Sequence, residues 1–211
     1  MNNELIKRIL SSIILIPLVV FFIIKGSILF IFFISICFLI IAYEWHMMSK
    51  KNYFYFYGFI FLILSFLTIY FLRIESPNYL VTLFIVTVCV STDIGGYVFG
   101  KLFKGPKLTK LSPNKTYAGM FGGYFVSLIS VTTIPYLKYD AMQLNEFLIV
   151  IAISSVSQIG DITISYFKRL SKIKNTGKII PGHGGLLDRI DGMIFAFPLF
   201  YFIEMTGYLI Q

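Results

Sequence analysis

With 211 residues, 57% of them hydrophobic and 13% charged, the chain carries about half the charged fraction of a soluble domain. Apolar runs of about 17 residues or more recur along its length, which leaves no stretch for a separate soluble domain and reads as an all-α, polytopic membrane helix bundle. The net charge of +8 then reports topology and contact with anionic phosphate groups, and nothing in the chain resembles a nucleic-acid-binding module.

About seven transmembrane helices are predicted, near residues 9–24, 27–43, 53–72, 79–98, 119–136, 147–167 and 192–210. The first follows MNNELIKR and runs to Ile24 without a small-residue cleavage site, so it reads as a retained span and not a signal peptide. Placing the N-terminus in the cytoplasm and alternating sides leaves only Lys25, Arg73 and Lys138, of 18 Lys and Arg, on the outer face. That asymmetry favours N-in, C-out. Cys37 and Cys89 lie in separate apolar runs and read as packing residues, with no disulfide or zinc pattern around them.

The second span ends in Glu44, Trp45 and His46, which read first as an interfacial anchor and second as support near a site. KNYFYFYGF (51–59) reads as an aromatic belt. The fourth span closes on CVSTDIGGYVFGK, with Asp93 several residues inside the apolar run. An unpaired carboxylate at the bilayer centre costs about 2.5–3.5 kcal/mol, so Asp93 reads first as functional and otherwise as structurally paired. Gly96 and Gly100 have the spacing of a close helix contact. Gly95 to Lys101 imitates a P-loop, but Leu102 stands where Ser or Thr is required.

The loop KLFKGPKLTKLSPNKTYAG (101–119) holds five Lys and no acidic residue. A topogenic basic loop needs nothing more, yet Asn114, Lys115 and Thr116 also group amide, ammonium and hydroxyl as a phosphate cradle would. The fifth span starts with Gly119, Gly122 and Gly123, a further small-residue face. Residues 137–146 suggest no chemistry.

The stretch 161–191 holds three of the ten acidic residues and six of the 18 basic ones. Helical spacing puts Asp161, Ser165 and Lys168 on one face, with Gln158 one turn earlier. A basic loop follows, then the helix-breaking PGHGG, then Asp188 and Asp191 at i and i+3. On the predicted topology Asp93, Asp161, Asp188 and Asp191 share the cytoplasmic face with the Lys and Arg of both loops. Carboxylates and phosphate oxygens together suit Mg²⁺, and nucleotidyl transfer needs alignment and charge stabilisation more than covalent help. His183 reads equally as an acid, base or phosphate donor and as a turn residue. The residues alone therefore suggest a metal-dependent enzyme acting on a phosphorylated lipid.

Ser165-Tyr166-Phe167-Lys168-Arg169, Lys174, and Ile180 through Asp191 (IPGHGGLLDRID) together resemble the signature of the phosphatidate cytidylyltransferases. Ser112-Pro113-Asn114-Lys115-Thr116, and Asp93 with the Gly-Tyr-x-x-Gly of 96–100, resemble that family's other shared segments. The resemblance covers roughly residues 80–200. It implies transfer of CMP from CTP to phosphatidic acid, giving CDP-diacylglycerol and pyrophosphate, with Mg²⁺ and room for a second cation. It implies metal ligation by Asp161 and Asp188, with Asp191 supporting or joining them. Ser165 and Lys168 belong to the same polar site, with His183 beside them as a catalytic candidate. Asp93, Ser112, Asn114, Lys115, Thr116, Arg169, Lys174 and Arg189 are assigned to the nucleotide and its phosphates. Asn175 stands where the family pattern has Asp, and Ala118 where it often has Glu. The chain is also short for the family, the missing length falling among N-terminal spans.

The chain divides on this reading into N-terminal transmembrane helices (1–78) and a catalytic transmembrane region (79–211) with cytoplasmic loops 101–118 and 168–191. Expected partners are CTP, phosphatidic acid, membrane lipid and a second copy of the chain, with no nucleic acid. The expected location is the inner membrane with a cytoplasmic active site. Three other readings stay open: a related CTP-dependent or prenyl-type lipid phosphate nucleotidyltransferase or kinase, an ion-coupled transporter, and an inactive homologue, which rests on Asn175 and Ala118. Against the transporter, the acids gather at one face and the Gly/Pro-broken segments are loops and not paired half-helices.

Overall fold

The computed structural model describes residues 3–74, 78–109, 112, 115–132, 144–180 and 184–206, with side chains from residue 14 onward. Its elements are α1 (Asn3–Lys25), α2 (Ser27–Ser49), α3 (Tyr55–Ile74), α4 (Tyr79–Phe103), α5 (Tyr117–Val131), α6 (Leu144–Leu170), α7 (Leu187–Ile190) and α8 (Met193–Met205). Among the described residues there is no strand; two isolated antiparallel bridges, Lys107 with Thr116 and Ile180 with Gly184, close loops. The protein is an all-α, multi-pass membrane protein. Four helices, α2, α3, α4 and α6, are long and apolar enough to cross a bilayer. Ile14–Lys25, Tyr117–Val131 and Met193–Met205 are shorter apolar helices, and for these three the crossing is the expectation of the sequence. The four-residue α7 has no counterpart among the predicted spans.

The side chains follow a lipid solvent. Ile28, Phe32 and Leu39 of α2 are 77%, 64% and 66% exposed, whereas Ser65, Ser127 and Ser154 are fully buried. Where no water surrounds a helix, apolar groups lose nothing outside and small hydroxyls find partners inside.

Two compact units emerge: residues 1–79 with 167–191, and residues 80–166 with 192–211. In the first, Trp45 is 2% exposed and packs edge-on against Phe54 and Phe167 at 5.7 and 5.6 Å. Its indole N–H donates to the Tyr55 carbonyl at 3.1 Å. A Cβ on Gly58 would fall 1.7 Å from the Trp45 ring, so only glycine admits α3 this close. Trp45 is thus a core residue, not the interfacial anchor its position suggested. Arg73, near the end of α3, donates from Nε to the Ile23 carbonyl at 2.7 Å. A cation there satisfies a carbonyl of the last turn of α1.

In the second unit α4 crosses α5 on glycine. A Cβ on Gly95 would lie 2.3 Å from the Gly122 carbonyl oxygen, and one on Gly119 would lie 2.7 Å from that of Gly96. The small-residue faces read from the sequence pack on each other. Thr92 donates from Oγ1 to Ser154 Oγ at 2.8 Å, tying α4 to α6, and Tyr124 and Ser155 share a 2.9 Å hydrogen bond between α5 and α6.

Candidate active site

Lysine–carboxylate pairs lie in both units, and α6 contributes to each. In the second unit Asp161 of α6 pairs with Lys115 through Oδ2, with the two side chains 29% and 23% exposed. Ser165, one turn on, donates to Asp161 Oδ1 at 3.5 Å, the long limit for such a contact. The loop holds Lys115 from both sides: its N–H donates to Ser112 O at 3.0 Å, and its carbonyl accepts from Leu108 N at 2.8 Å. Thr116 caps α5, its Oγ1 accepting from Gly119 N at 3.1 Å. That leaves the hydroxyl proton of Thr116 available to a ligand. A Cβ on Gly100 would sit 3.2 Å from Thr116 Oγ1, so the Gly-Tyr-x-x-Gly segment backs the cap. Asp93 lies on α4 with an exposed side chain.

In the first unit α6 ends in a Schellman turn. Ile173 N donates to Lys168 O and Lys172 N to Arg169 O, both at 3.0 Å, with Lys172 at φ 56. Arg169 at the end of α6 is exposed, and the turn sends the chain into 173–180, where Lys174, Asn175 and Lys178 are exposed. Ile180 and Gly184 then exchange backbone hydrogen bonds of 2.9 and 3.2 Å. Asp188, on α7, accepts from Lys168 Nζ at 2.8 Å on Oδ1. Its Oδ2 accepts from the amides of Thr176 and Gly185 at 2.9 and 3.0 Å. Asp191 is 7% exposed, and Arg189 is exposed. Asn114 and His183 lie outside the described residues.

Glu44, absent from the site residues assigned from the sequence, is the supporting residue that the second reading of the Glu44-Trp45-His46 segment allowed. It is 2% exposed, and both carboxylate oxygens serve the turn before α7. Oε1 accepts from Leu186 N at 2.9 Å. Oε2 accepts from Leu187 N at 2.8 Å and from Thr176 Oγ1 at 3.0 Å. A Cβ on Gly177 or Gly185 would fall 2.5 Å or less from this network, which gives Gly177 and the motif glycine Gly185 their reason. The available signal was an acidic residue directly abutting the apolar run of α2, before the helix ends at Ser49.

Among the described residues no three His, Cys, Asp or Glu side chains gather as a ready metal cage. The chemistry of the donors nevertheless fits a hard cation. Asp161 offers a partly exposed carboxylate beside a hydroxyl, and its present counter-charge is the tip of a lysine.

The chain matches the cytidylyltransferase family over residues 6–90 and 53–206. It is 36% identical over 213 residues to the phosphatidate cytidylyltransferase of Rickettsia typhi (strain ATCC VR-144 / Wilmington), covering 97% of this chain and 93% of that relative. The phosphatidate cytidylyltransferase of Rickettsia prowazekii (strain Madrid E) is 35% identical over 214 residues, with the same two coverages of 97% and 93%. That of Staphylococcus aureus (strain COL) is 34% identical over 177 residues, 79% of this chain and 65% of the relative. The expected shortness holds against the staphylococcal protein and not against the rickettsial ones. Matched at both its N-terminal helices and its two charged clusters, the chain belongs to the cytidylyltransferase family.

Proposed function

We propose that this protein is a phosphatidate cytidylyltransferase, an integral-membrane nucleotidyltransferase that joins CTP and phosphatidic acid to give CDP-diacylglycerol and pyrophosphate in phospholipid biosynthesis. One observation carries the reading. The two segments that resemble the family's motifs each place a lysine on a carboxylate, Lys115 on Asp161 and Lys168 on Asp188, in a chain matched over 97% of its length by a phosphatidate cytidylyltransferase.

A phosphate oxygen of phosphatidate attacks the α-phosphorus of CTP. The bond from that phosphorus to the oxygen bridging the β-phosphate breaks, and pyrophosphate leaves, so no side chain need act as nucleophile. The chain's task is to align two anions and hold their charge. Lys115, Lys168, Arg169, Lys174 and Arg189 supply cations, Ser112, Asn114 and Thr116 supply neutral donors, and His183 and Asp93 are further candidates for the catalytic and nucleotide-binding roles. Asp161, Asp188 and Asp191 are the oxygen donors that would hold Mg²⁺, Asp161 with Ser165 next to it. When bound, the ion withdraws charge from the phosphoryl oxygens. Asp188 has already accepted three hydrogen bonds, so a carboxylate with about four acceptor sites has one left for a ligand.

The same reading puts the N-terminus and both basic loops on the cytoplasmic side of an inner membrane and makes the working enzyme a homodimer. Cysteine-accessibility labelling and cross-linking in native membranes test these points. The activity is tested by incubating membranes containing the chain with labelled CTP and phosphatidic acid. CDP-diacylglycerol should form with pyrophosphate, stop with EDTA and return with Mg²⁺. Product from a prenyl phosphate but not from phosphatidate would replace this reading with a related lipid-phosphate enzyme.

A further inference from the structure

Neither lysine–carboxylate cluster includes Glu44, and neither does the motif that carries the family resemblance. Yet its carboxylate, 2% exposed, reaches from α2 to residues more than 130 positions away in sequence. The turn it holds is the turn that holds Asp188. Thr176 gives its hydroxyl to Glu44 and its amide to Asp188. Of three successive amides, Gly185 donates to Asp188, and Leu186 and Leu187 donate to Glu44. Two carboxylates thus divide one set of donors, and withdrawing either acceptor releases the backbone that orients the other.

We propose that Glu44 is a positioning residue for cytidylyl transfer, fixing Thr176 and the 184–187 turn so that Asp188 presents its carboxylate in one orientation to the bound cation. The proposal rests on the reading above, in which Asp188 is a metal ligand. No ordinary substitute reproduces it. Glutamine would aim an NH₂ group at either the Leu186 amide or the Leu187 and Thr176 donors. Aspartate would withdraw the carboxylate by one methylene, about 1.5 Å.

Purified wild type, Glu44→Gln, Thr176→Val, Thr176→Ser and Asp188→Asn should be compared by Mn²⁺ titration followed by electron paramagnetic resonance. The Mg²⁺ half-saturation of CDP-diacylglycerol synthesis gives a second readout. Partners that orient a ligand are worth about 10–100-fold in metal affinity. Glu44→Gln should therefore weaken Mn²⁺ binding and raise the Mg²⁺ half-saturation about ten-fold. Thr176→Val, which removes only the hydroxyl bond, should shift both in the same direction by less, and Thr176→Ser should match wild type. A purely structural Glu44 would lower the yield of folded enzyme and Vmax while leaving both metal readouts at wild-type values. That result in Glu44→Gln, or in Thr176→Val where Glu44→Gln does not fold, overturns the proposal. Asp188→Asn separates the two levels. If it binds Mn²⁺ like wild type, the metal assignment fails and takes this inference with it. If it is shifted while Glu44→Gln and Thr176→Val are not, only the role of Glu44 fails.

Discussion

Lys168→Met tests whether the ion pair beside α7 is structural support or functional charge. The Nζ–Oδ1 distance is 2.8 Å and the side chains are 12% and 6% exposed, so water screens neither charge well. Removing one partner of a buried pair costs about 3–5 kcal/mol when the other is left uncompensated. Here Asp188 keeps the Thr176 and Gly185 amides on Oδ2, which reduces the loss to about 2–3 kcal/mol. For a chain of this size each kcal/mol moves the unfolding midpoint about 2–4 °C. The detergent-purified variant should therefore unfold about 4–12 °C below wild type. Asp188→Asn leaves Lys168 facing an amide and should also lower the midpoint. In the double variant neither charge is stranded, and the midpoint should recover, with a coupling energy of about 1–3 kcal/mol. Turnover should not recover, because Asp188 is gone. Single-variant losses that add within about 0.5 kcal/mol would show that the pair is not coupled and refute the reasoning.

Gly119→Ala places its Cβ 2.7 Å from the Gly96 carbonyl oxygen, whereas Gly96→Ala meets the Gly119 carbonyl oxygen at an ordinary 3.7 Å. The first should cost about 1–3 kcal/mol in thermal unfolding and the second should be tolerated; equal effects would contradict the α4–α5 crossing. Gly58→Ala drives a methyl into Trp45, and because this is the chain's only Trp its emission should shift to the red as the ring leaves Phe54 and Phe167. Lys115→Met removes a charge-assisted contact of about 1.5–3 kcal/mol, so kcat/KM for CTP should fall about 10–150-fold. Wild-type kinetics in that variant would remove Lys115 from the phosphate site.

The membrane class and the helices were legible because lipid rewards continuous apolar runs, and period and length reveal them. The stripe Asp161–Ser165–Lys168 was legible because helical spacing alone fixes a face. For Trp45 and Glu44 the anchor reading was preferred over the supporting one for one shared reason. At the end of a span, sequence cannot tell a side chain that faces the interface from one turned inward onto another segment. The burial of Glu44 depends on a turn about 130 residues later, and no local pattern encodes that pairing. Likewise the partners of Asp161 and Lys168 come from the loop before α5 and from α7, which spacing within α6 cannot name.

Those partners bear on what the basic loops are for. Asp161 and Lys168 are seven residues apart, about 10.5 Å along the axis, beyond the i, i+4 reach at which helix charges neutralise each other. Each must be matched from outside the helix. A loop that served topology alone would leave all of its lysines in solvent. Instead Lys115 lies on Asp161 and Lys168 on Asp188, while Lys104 and Lys107 in one unit, and Arg169, Lys174 and Lys178 in the other, stay exposed. These basic residues thus fall into two sets. One set neutralises carboxylates whose charge an apolar chain would otherwise carry unpaired. The other set keeps its charge at the surface, where a triphosphate and a lipid phosphate can reach it. Substitutions in the first set should therefore change stability and activity together, and substitutions in the second should change KM for CTP at an unchanged unfolding midpoint.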